Sequence, residues 1–352
     1  MKSTAALGGG AVAVPAPKAS PAEPAPAVHA SGAAAAIMPS AIVPAGNCPA
    51  CNASEFESIL RTGDERITRT LIACRRCSLL RFVGPGIPDI ARCYLDAIHF
   101  HHGDDRWAGR LFRALLRAGL RSKTGFVASA LSRLGRGALT LELSGDDGTT
   151  ARALERFDAS VLSAIPDETL AVKAFHAQGV FAVAADAASL PLRDPLFDLV
   201  TRLRGFAHPE DPVAWLDAAR KVLRPGGRVV LQAFDSGSWA FLFTGSHWAG
   251  LEGATASYAF RSVDLEVLLD FCGYRILRRS HFFPVLNAAT WVSSLFPALD
   301  PQRRRLRQPV RQGPALAWDL LFLALLIAFL PLGFVESVCH AGSVLMVEAE
   351  PK

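Results

Sequence analysis

The chain has 352 residues, 51% of them hydrophobic, a formal net charge of +5 and seven cysteines. That length holds one large domain, or a domain with small modules, and the apolar share supports a substantial core. The charge is modest and Asp and Glu interleave with Arg, which argues against nucleic acid as the partner. Four cysteines in two Cys-x-x-Cys pairs argue for reduced, metal-binding thiols rather than a disulfide scaffold, and so for the cytoplasm.

Residues 1–46 are rich in Ala, Pro and Gly and hold almost no large apolar side chains. They cannot bury enough surface to offset chain entropy, which predicts a disordered tail. Lys2 before a small-residue run hints at a signal peptide, but Gly8-Gly9-Gly10 breaks it and it lacks a Leu/Ile/Phe core.

In residues 47–84, Cys48 and Cys51 are separated from Cys74 and Cys77 by 22 residues. Two tight cysteine turns at this spacing can supply four thiolates in a tetrahedron, the preference of structural zinc, and leave no open position for chemistry. Short strands over 68–73 and 79–83 would lead into and out of the second turn, giving a zinc ribbon. Unrelated thiols and a redox pair are the alternatives. Cys93, Cys272 and Cys339 read as ordinary buried cysteines.

Residues 85–137 read as a helical connector. His99, His101, His102, Asp104, Asp105 and Arg106 form a metal or substrate cluster on the sharp reading. On the plainer one, which we favour, they are a polar loop before a helix over 110–134. Leu111, Leu115, Leu116 and Leu120 of that helix would face the core.

From residue 139 to 234, short β-rich apolar runs alternate with amphipathic helices, which predicts a parallel sheet covered on both faces. Strands are expected at 139–143, 159–164, 180–184, 197–201 and 228–234, with helices at 149–157 and 210–223 and a helix-ending turn at 225–227. A sixth strand over 275–283 would close at His281, and 343–348 would add a last, antiparallel strand. Glu142, then the turn Ser144-Gly145-Asp146-Asp147-Gly148, then a helix start would present a carboxylate and free amides to a ligand. Asp186 ends the third strand.

Asp186-Ala187 through Leu190-Pro191-Leu192, Phe197-Asp198-Leu199-Val200, His208 through Pro212, and Val222 through Gly227 resemble the successive motifs of class I S-adenosylmethionine-dependent methyltransferases. The post-core segment, with Gly245-Ser246-His247-Trp248 and Tyr258-Ala259-Phe260, is similar too. The four-cysteine ribbon is similar to one found in bacterial members linked to polysaccharide or sugar biosynthesis.

The resemblance implies a doubly wound, seven-stranded Rossmann-like α/β sheet over 138–283 and 343–352, behind an N-terminal zinc ribbon. It implies S-adenosylmethionine as methyl donor and zinc as structural metal. Cofactor contacts would come from Glu142, Ser144, Gly145, Asp146, Gly148, Asp186 and Ala187. Glu142 would meet the methionine ammonium and Asp186 the adenine amino group. His208, and after it His247, are the residues expected to act as general base toward a sugar or lipid-linked small-molecule acceptor. The loop departs from the family's acidic-x-Gly-x-Gly-x-Gly at Ser144 and Asp146. The usual ribose-binding acid aligns with Ala164, and a histidine usual in the post-core segment falls near Ala256. These changes predict weakened cofactor binding, and they support the alternative of a catalytically impaired, methyltransferase-like binding or assembly subunit.

Residues 284–342 form an insertion with Arg303, Arg304, Arg305, Arg307 and Arg311, followed by a run over 315–332 that is apolar except for Asp319. If both flanking strands belong to one sheet, a single span is excluded. The region around 290–340 is then expected to dock peripherally on the inner membrane, or to pack on the core or a protein partner.

Overall fold

The computed structural model describes residues 46–63, 68–84, 107–143, 148–165, 168–185, 190, 195–203, 206, 211–251, 257–301, 304 and 315–352, which belong to one compact unit, Val43–Lys352. The expected tail, the histidine-rich stretch 99–106, and the side chains of Leu111, Leu115 and Leu116 lie outside the described set.

A hairpin opens the described chain, β1 (Phe56–Gly63) with β2 (Thr68–Cys74), and β3 (Leu80–Val83) follows. All three pair antiparallel, with Phe56 opposite Cys74 and Ala73 opposite Leu80. Leu80 and Phe82 point inward while Arg81 and Val83 are half-buried, the period of a strand covered on one face. The next helix, α1 (Trp107–Leu134), buries Phe126, Val127, Ala130 and Leu131 along one stripe.

The αβ core then runs β4 (Leu139–Glu142), α2 (Thr149–Leu154), β5 (Ser160–Ile165), α3 (Glu168–Gln178), β6 (Phe181–Ala184), β7 (Phe197–Arg202), α4 (Pro212–Val222) and β8 (Leu223–Phe234). Beyond it come α5 (Trp239–Thr244), β9 (Tyr258–Ala259), α6 (Ser262–Phe271), β10 (Tyr274–Ser280), α7 (Pro284–Leu295), α8 (Ala315–Val338) and β11 (Val344–Pro351).

Seven strands form one sheet in the order β10-β11-β8-β7-β4-β5-β6. Strands β4 to β8 pair in parallel, and β11 is antiparallel to both its neighbours. This is the doubly wound Rossmann-like sheet that the resemblance implied. Leu141, Leu199, Val200, Val229, Val230 and Leu231 are fully buried, as parallel strands covered on both faces require. Strand order reverses between β4 and β7, and the carboxyl ends of such a pair are where open α/β sheets take their ligands.

The structure redraws several expected elements. Helix α4 stops at Val222, and the turn at 225–227 is folded into β8 as a bulge: pairing jumps from Phe197–Leu223 to Leu199–Arg228. Gly226 has φ +79°, and a Cβ on Gly227 would lie 2.9 Å from the Arg224 carbonyl oxygen. Both positions therefore need glycine. Asp198 braces the bulge, pairing with Arg224 at 3.1 Å and accepting the Leu139 amide at 2.8 Å. The helix expected over 149–157 is shorter, because it tightens into a 3-10 turn at Glu155–Phe157 and ends on Asp158 at φ 60°. His281 lies just beyond β10 rather than within it.

The insertion contains a helix that the sequence reading did not single out, α7, lying against α8. Gly333 lets them approach: a Cβ there would sit 2.5 Å from the Pro284 carbonyl oxygen. In β11, Glu348 is fully buried and gathers Arg133 at 3.2 Å, Arg228 at 2.6 Å and Arg278 at 3.0 Å.

Candidate cofactor cleft and metal centre

The four ribbon cysteines converge. Their Sγ atoms all lie within 4.8 Å of one another, with Cys48 to Cys77 and Cys51 to Cys74 at 3.5 Å. A zinc tetrahedron with ~2.3 Å Zn–S bonds has sulfur–sulfur edges of about 3.8 Å, inside that range. The two turns share one geometry. The residue after each second cysteine, Asn52 or Ser78, adopts positive φ and donates its amide to the first cysteine's carbonyl, at 2.8 Å and 2.7 Å. Burial pushes the Cys48 and Cys77 thiols up. At Cys74 burial is outweighed by the amides of Cys77 and Arg76, and the thiol falls to about 7. Four sulfurs aimed at one point suit a structural zinc.

The ribbon is joined to the αβ core. Strand β3 pairs with β9, placing Leu80 opposite Ala259, and Phe260 bridges to Asp235 at the end of β8. Cys48, Ala50, Cys74 and Leu79 share a hydrophobic cluster with Phe206, Trp215 and Phe260. Rings stack through it: Tyr258 to Phe260 at 5.6 Å and Phe260 to Phe206 at 5.5 Å.

At the crevice, Glu142 ends β4 fully buried, with its Oε2 accepting from Ser163 Oγ at 3.0 Å. Register sets Ser163 and Thr201 on either side of it. Thr201 Oγ1 is buried and has no hydrogen-bond partner among the described residues. Gly148 begins α2 at φ +83°, where a Cβ would lie 2.7 Å from Val180 Cγ2. Ala164 is a buried β5 residue opposite Val183 of β6, so β5 offers no carboxylate at that place. Ser144, Gly145, Asp146, Asp186, Ala187 and His208 lie outside the described residues.

His247 is exposed on a 3-10 turn beside β1, with its Nδ1 3.5 Å from Ser246 Oγ. Its neighbour Trp248 packs with Leu71, Leu80 and Phe82. A different histidine sits at the sheet's carboxyl edge. His281 Nε2 lies 2.9 Å from Asp235 Oδ2, and both side chains are almost fully buried. The Gly237 amide holds Asp235 Oδ1 at 2.7 Å, and Asn287 Nδ2 donates to the His281 carbonyl at 3.1 Å. Sequence reasoning missed this pair, because Asp235 and His281 are 46 positions apart and meet only through sheet order.

Comparison with known proteins bears on the same region. A methyltransferase domain family matches residues 124–231, which run from within α1 to within β8. The chain is 36% identical over 104 residues to a demethylmenaquinone methyltransferase of Clavibacter sepedonicus, covering 28% of this chain and 42% of that protein. It is 43% identical over 58 residues to a demethylmenaquinone methyltransferase of Beutenbergia cavernae, covering 16% and 24%. The chain thus spans less than half the length of either relative. Among solved structures, the YcgJ protein from Bacillus subtilis aligns at TM-score 0.45 and 13% identity, over 66% of this chain and 99% of that one. A 1,6-didemethyltoxoflavin-N1-methyltransferase from Burkholderia thailandensis aligns at TM-score 0.40 and 18% identity, over 63% and 91%.

The αβ core therefore has the class I methyltransferase fold, and with it a place for S-adenosylmethionine. The described residues fit the methionine end of that cofactor: an acid closes β4, and an unpaired hydroxyl sits beside it. Ala164, where the resemblance would have the ribose-binding acid, has no polar side-chain atom.

Proposed function

We propose that the αβ core takes S-adenosylmethionine at the carboxyl edge of β4 and passes its methyl group to a sugar or lipid-linked small molecule, with a four-thiolate zinc as structural support in the ribbon. The observation that carries this reading is the methyltransferase-domain match, which takes in every strand from β4 to β7 and most of β8 around the buried acid Glu142. The cofactor supplies an activated sulfonium methyl for in-line displacement. The protein's part is to hold donor and acceptor in line and to take a proton if the acceptor is an oxygen. Glu142 would bind the ammonium end. His208, between β7 and α4 in the sequence, is our first choice of base, and His247 is the second.

One observation favours a second reading. Ala164 replaces the ribose carboxylate, and a lost charged hydrogen bond costs roughly 1.5–3 kcal/mol. With Ser144 and Asp146 at glycine positions, the chain would then be an impaired, methyltransferase-like binding or assembly module. Calorimetric titration of the purified chain with S-adenosylmethionine tests both. Measurable binding that strengthens in Asp146→Gly/Ala164→Asp supports the donor-site assignment. Absence of binding in both forms would refute it. Methyl transfer to an isolated acceptor would dispose of the impaired reading.

A further inference from the structure

Helix α8 is apolar on both sides and covered on one. Phe322, Leu326 and Gly333 are buried on the inner side, where the helix lies against α7. On the other side Leu320, Ile327, Phe334 and Val338 are 39–58% exposed and recur along the helix at the spacing of a single face. The segment Ala317–Val338 is long and apolar enough to cross a membrane, yet only 28% of its most apolar window is buried. Helix α5 also bares apolar side chains, with Leu242 and Phe243 70% and 78% exposed. That helix is tied to α8 by the Ala240 amide on Glu336 Oε1 at 3.2 Å and to α7 by the Phe243 ring, tilted 5.8 Å from Trp291.

We propose that the outer face of α8, with the exposed end of α5, lies in the interface of an anionic membrane as an in-plane anchor. Exposed apolar surface of this extent on one face marks an interaction site. The surroundings select lipid. Neither acid of α8 adds a bare negative charge to the face: Asp319 is paired with Arg304, and Glu336 is buried under the Trp291 indole, which donates to it at 3.1 Å. Basic residues accompany the face. In the sequence Arg303, Arg305, Arg307 and Arg311 precede α8, and α1, which meets α7 through Gly119 and Leu286, exposes Arg117 and Arg121. Trp318, 44% exposed, stands at the arginine end, where an amphipathic ring suits the headgroup level.

Sheet topology argues against a crossing. Strand β10 leads into α7, β11 leaves α8, and the two strands pair with Ser280 opposite Met346. Both ends of the α7–α8 insertion therefore return to one sheet. Helix α7 has 12 residues, about 18 Å of helix, too short to recross a bilayer, and it buries Asn287, Thr290, Ser293 and Ser294. The proposal is independent of the reaction assigned to the core.

Flotation of the full-length chain with detergent-free vesicles tests it. Phosphatidylcholine vesicles containing phosphatidylglycerol should carry the protein upward, pure phosphatidylcholine should carry less, and salt should weaken the first. Ile327→Gln/Val338→Gln should lower partitioning at least tenfold, with an unchanged thermal transition because both side chains are more than half exposed. Three results would overturn the proposal: no flotation with anionic vesicles, flotation unchanged in the double variant, or a stable dimer of the native chain that ignores vesicles. Resistance to carbonate extraction would overturn it in favour of a spanning helix.

Discussion

Substituting Gly148 by alanine separates two costs that the structure places at one position. Gly148 has φ +83°, and a new Cβ would lie 2.7 Å from Val180 Cγ2 and 3.0 Å from Ala174 Cβ. Gly179 offers the control: its φ is +68°, but nothing stands within 4 Å of the Cβ site. Holding a side chain in the left-handed region costs about 1–2 kcal/mol. The loss of unfolded-state freedom returns about 0.4–1 kcal/mol, so Gly179→Ala should destabilise by about 1 kcal/mol. Gly148→Ala adds overpacking between α3 and the residue before β6, about 1–3 kcal/mol more, for a total of about 2–4 kcal/mol. Urea unfolding with a common m-value reads the difference as a shift in midpoint. Calorimetry with S-adenosylhomocysteine should show weaker binding for Gly148→Ala than for Gly179→Ala, because Gly148 caps α2 and closes the segment proposed to meet the cofactor. Equal midpoint shifts in the two variants would refute the packing argument.

Three further outcomes follow from the structure. Metal analysis of reduced, chelator-free protein should find one zinc per chain, lost at acid pH as the thiolates protonate and absent from Cys51→Ser/Cys74→Ser. Glu348→Gln should destabilise by about 3–5 kcal/mol, since it leaves three arginines facing one another; Arg133→Ala, whose side chain is 44% exposed, should cost less than ~1 kcal/mol by the same denaturation assay. Glu336 is pushed up to about 7 by burial, against the opposing pull of the Ala240 amide and the Trp291 indole. Its folded pKa thus exceeds its unfolded value of 4.5, so the native state binds the extra proton between those limits. Stability contributed by the neutral acid is present at low pH and falls by about 3 kcal/mol as pH rises through 7. Denaturation midpoints measured from pH 5 to 8 should lose this slope in Glu336→Gln.

Parts of the molecule held by local pattern could be read from the chain. The buried runs around Leu141, Val200 and Val230 identify parallel strands, and the cysteine spacing identifies the thiolate cluster. The glycines at 226 and 227 were expected to end a helix; they instead form a bulge inside β8, a role that depends on Asp198, which pairs with Arg224 from the neighbouring strand. Helix α7 escaped because Asn287, Thr290, Ser293 and Ser294 blur its apolar stripe, and those polar groups are buried only because α7 and its neighbours enclose them. The Asp235–His281 pair was hidden for a similar reason, since neither residue carries a local sign of the other. Whether α8 was core or surface depended on what its second side meets, which periodicity alone leaves open.

With zinc in the ribbon as proposed, the shared cluster between the ribbon and the αβ core would make metal supply a thermodynamic variable of the whole domain. Cys48 and Cys74 pack in one cluster with Trp215 of α4 and with Phe206 and Phe260. Ligand that binds only the folded state raises its stability by mass action, RT ln(1 + [L]/Kd). Because no hinge of solvent divides ribbon from sheet, that gain is not confined to residues near the sulfurs. The melting temperature of the sheet itself should climb with free zinc concentration, and a cell short of the metal would lose the αβ core along with the ribbon.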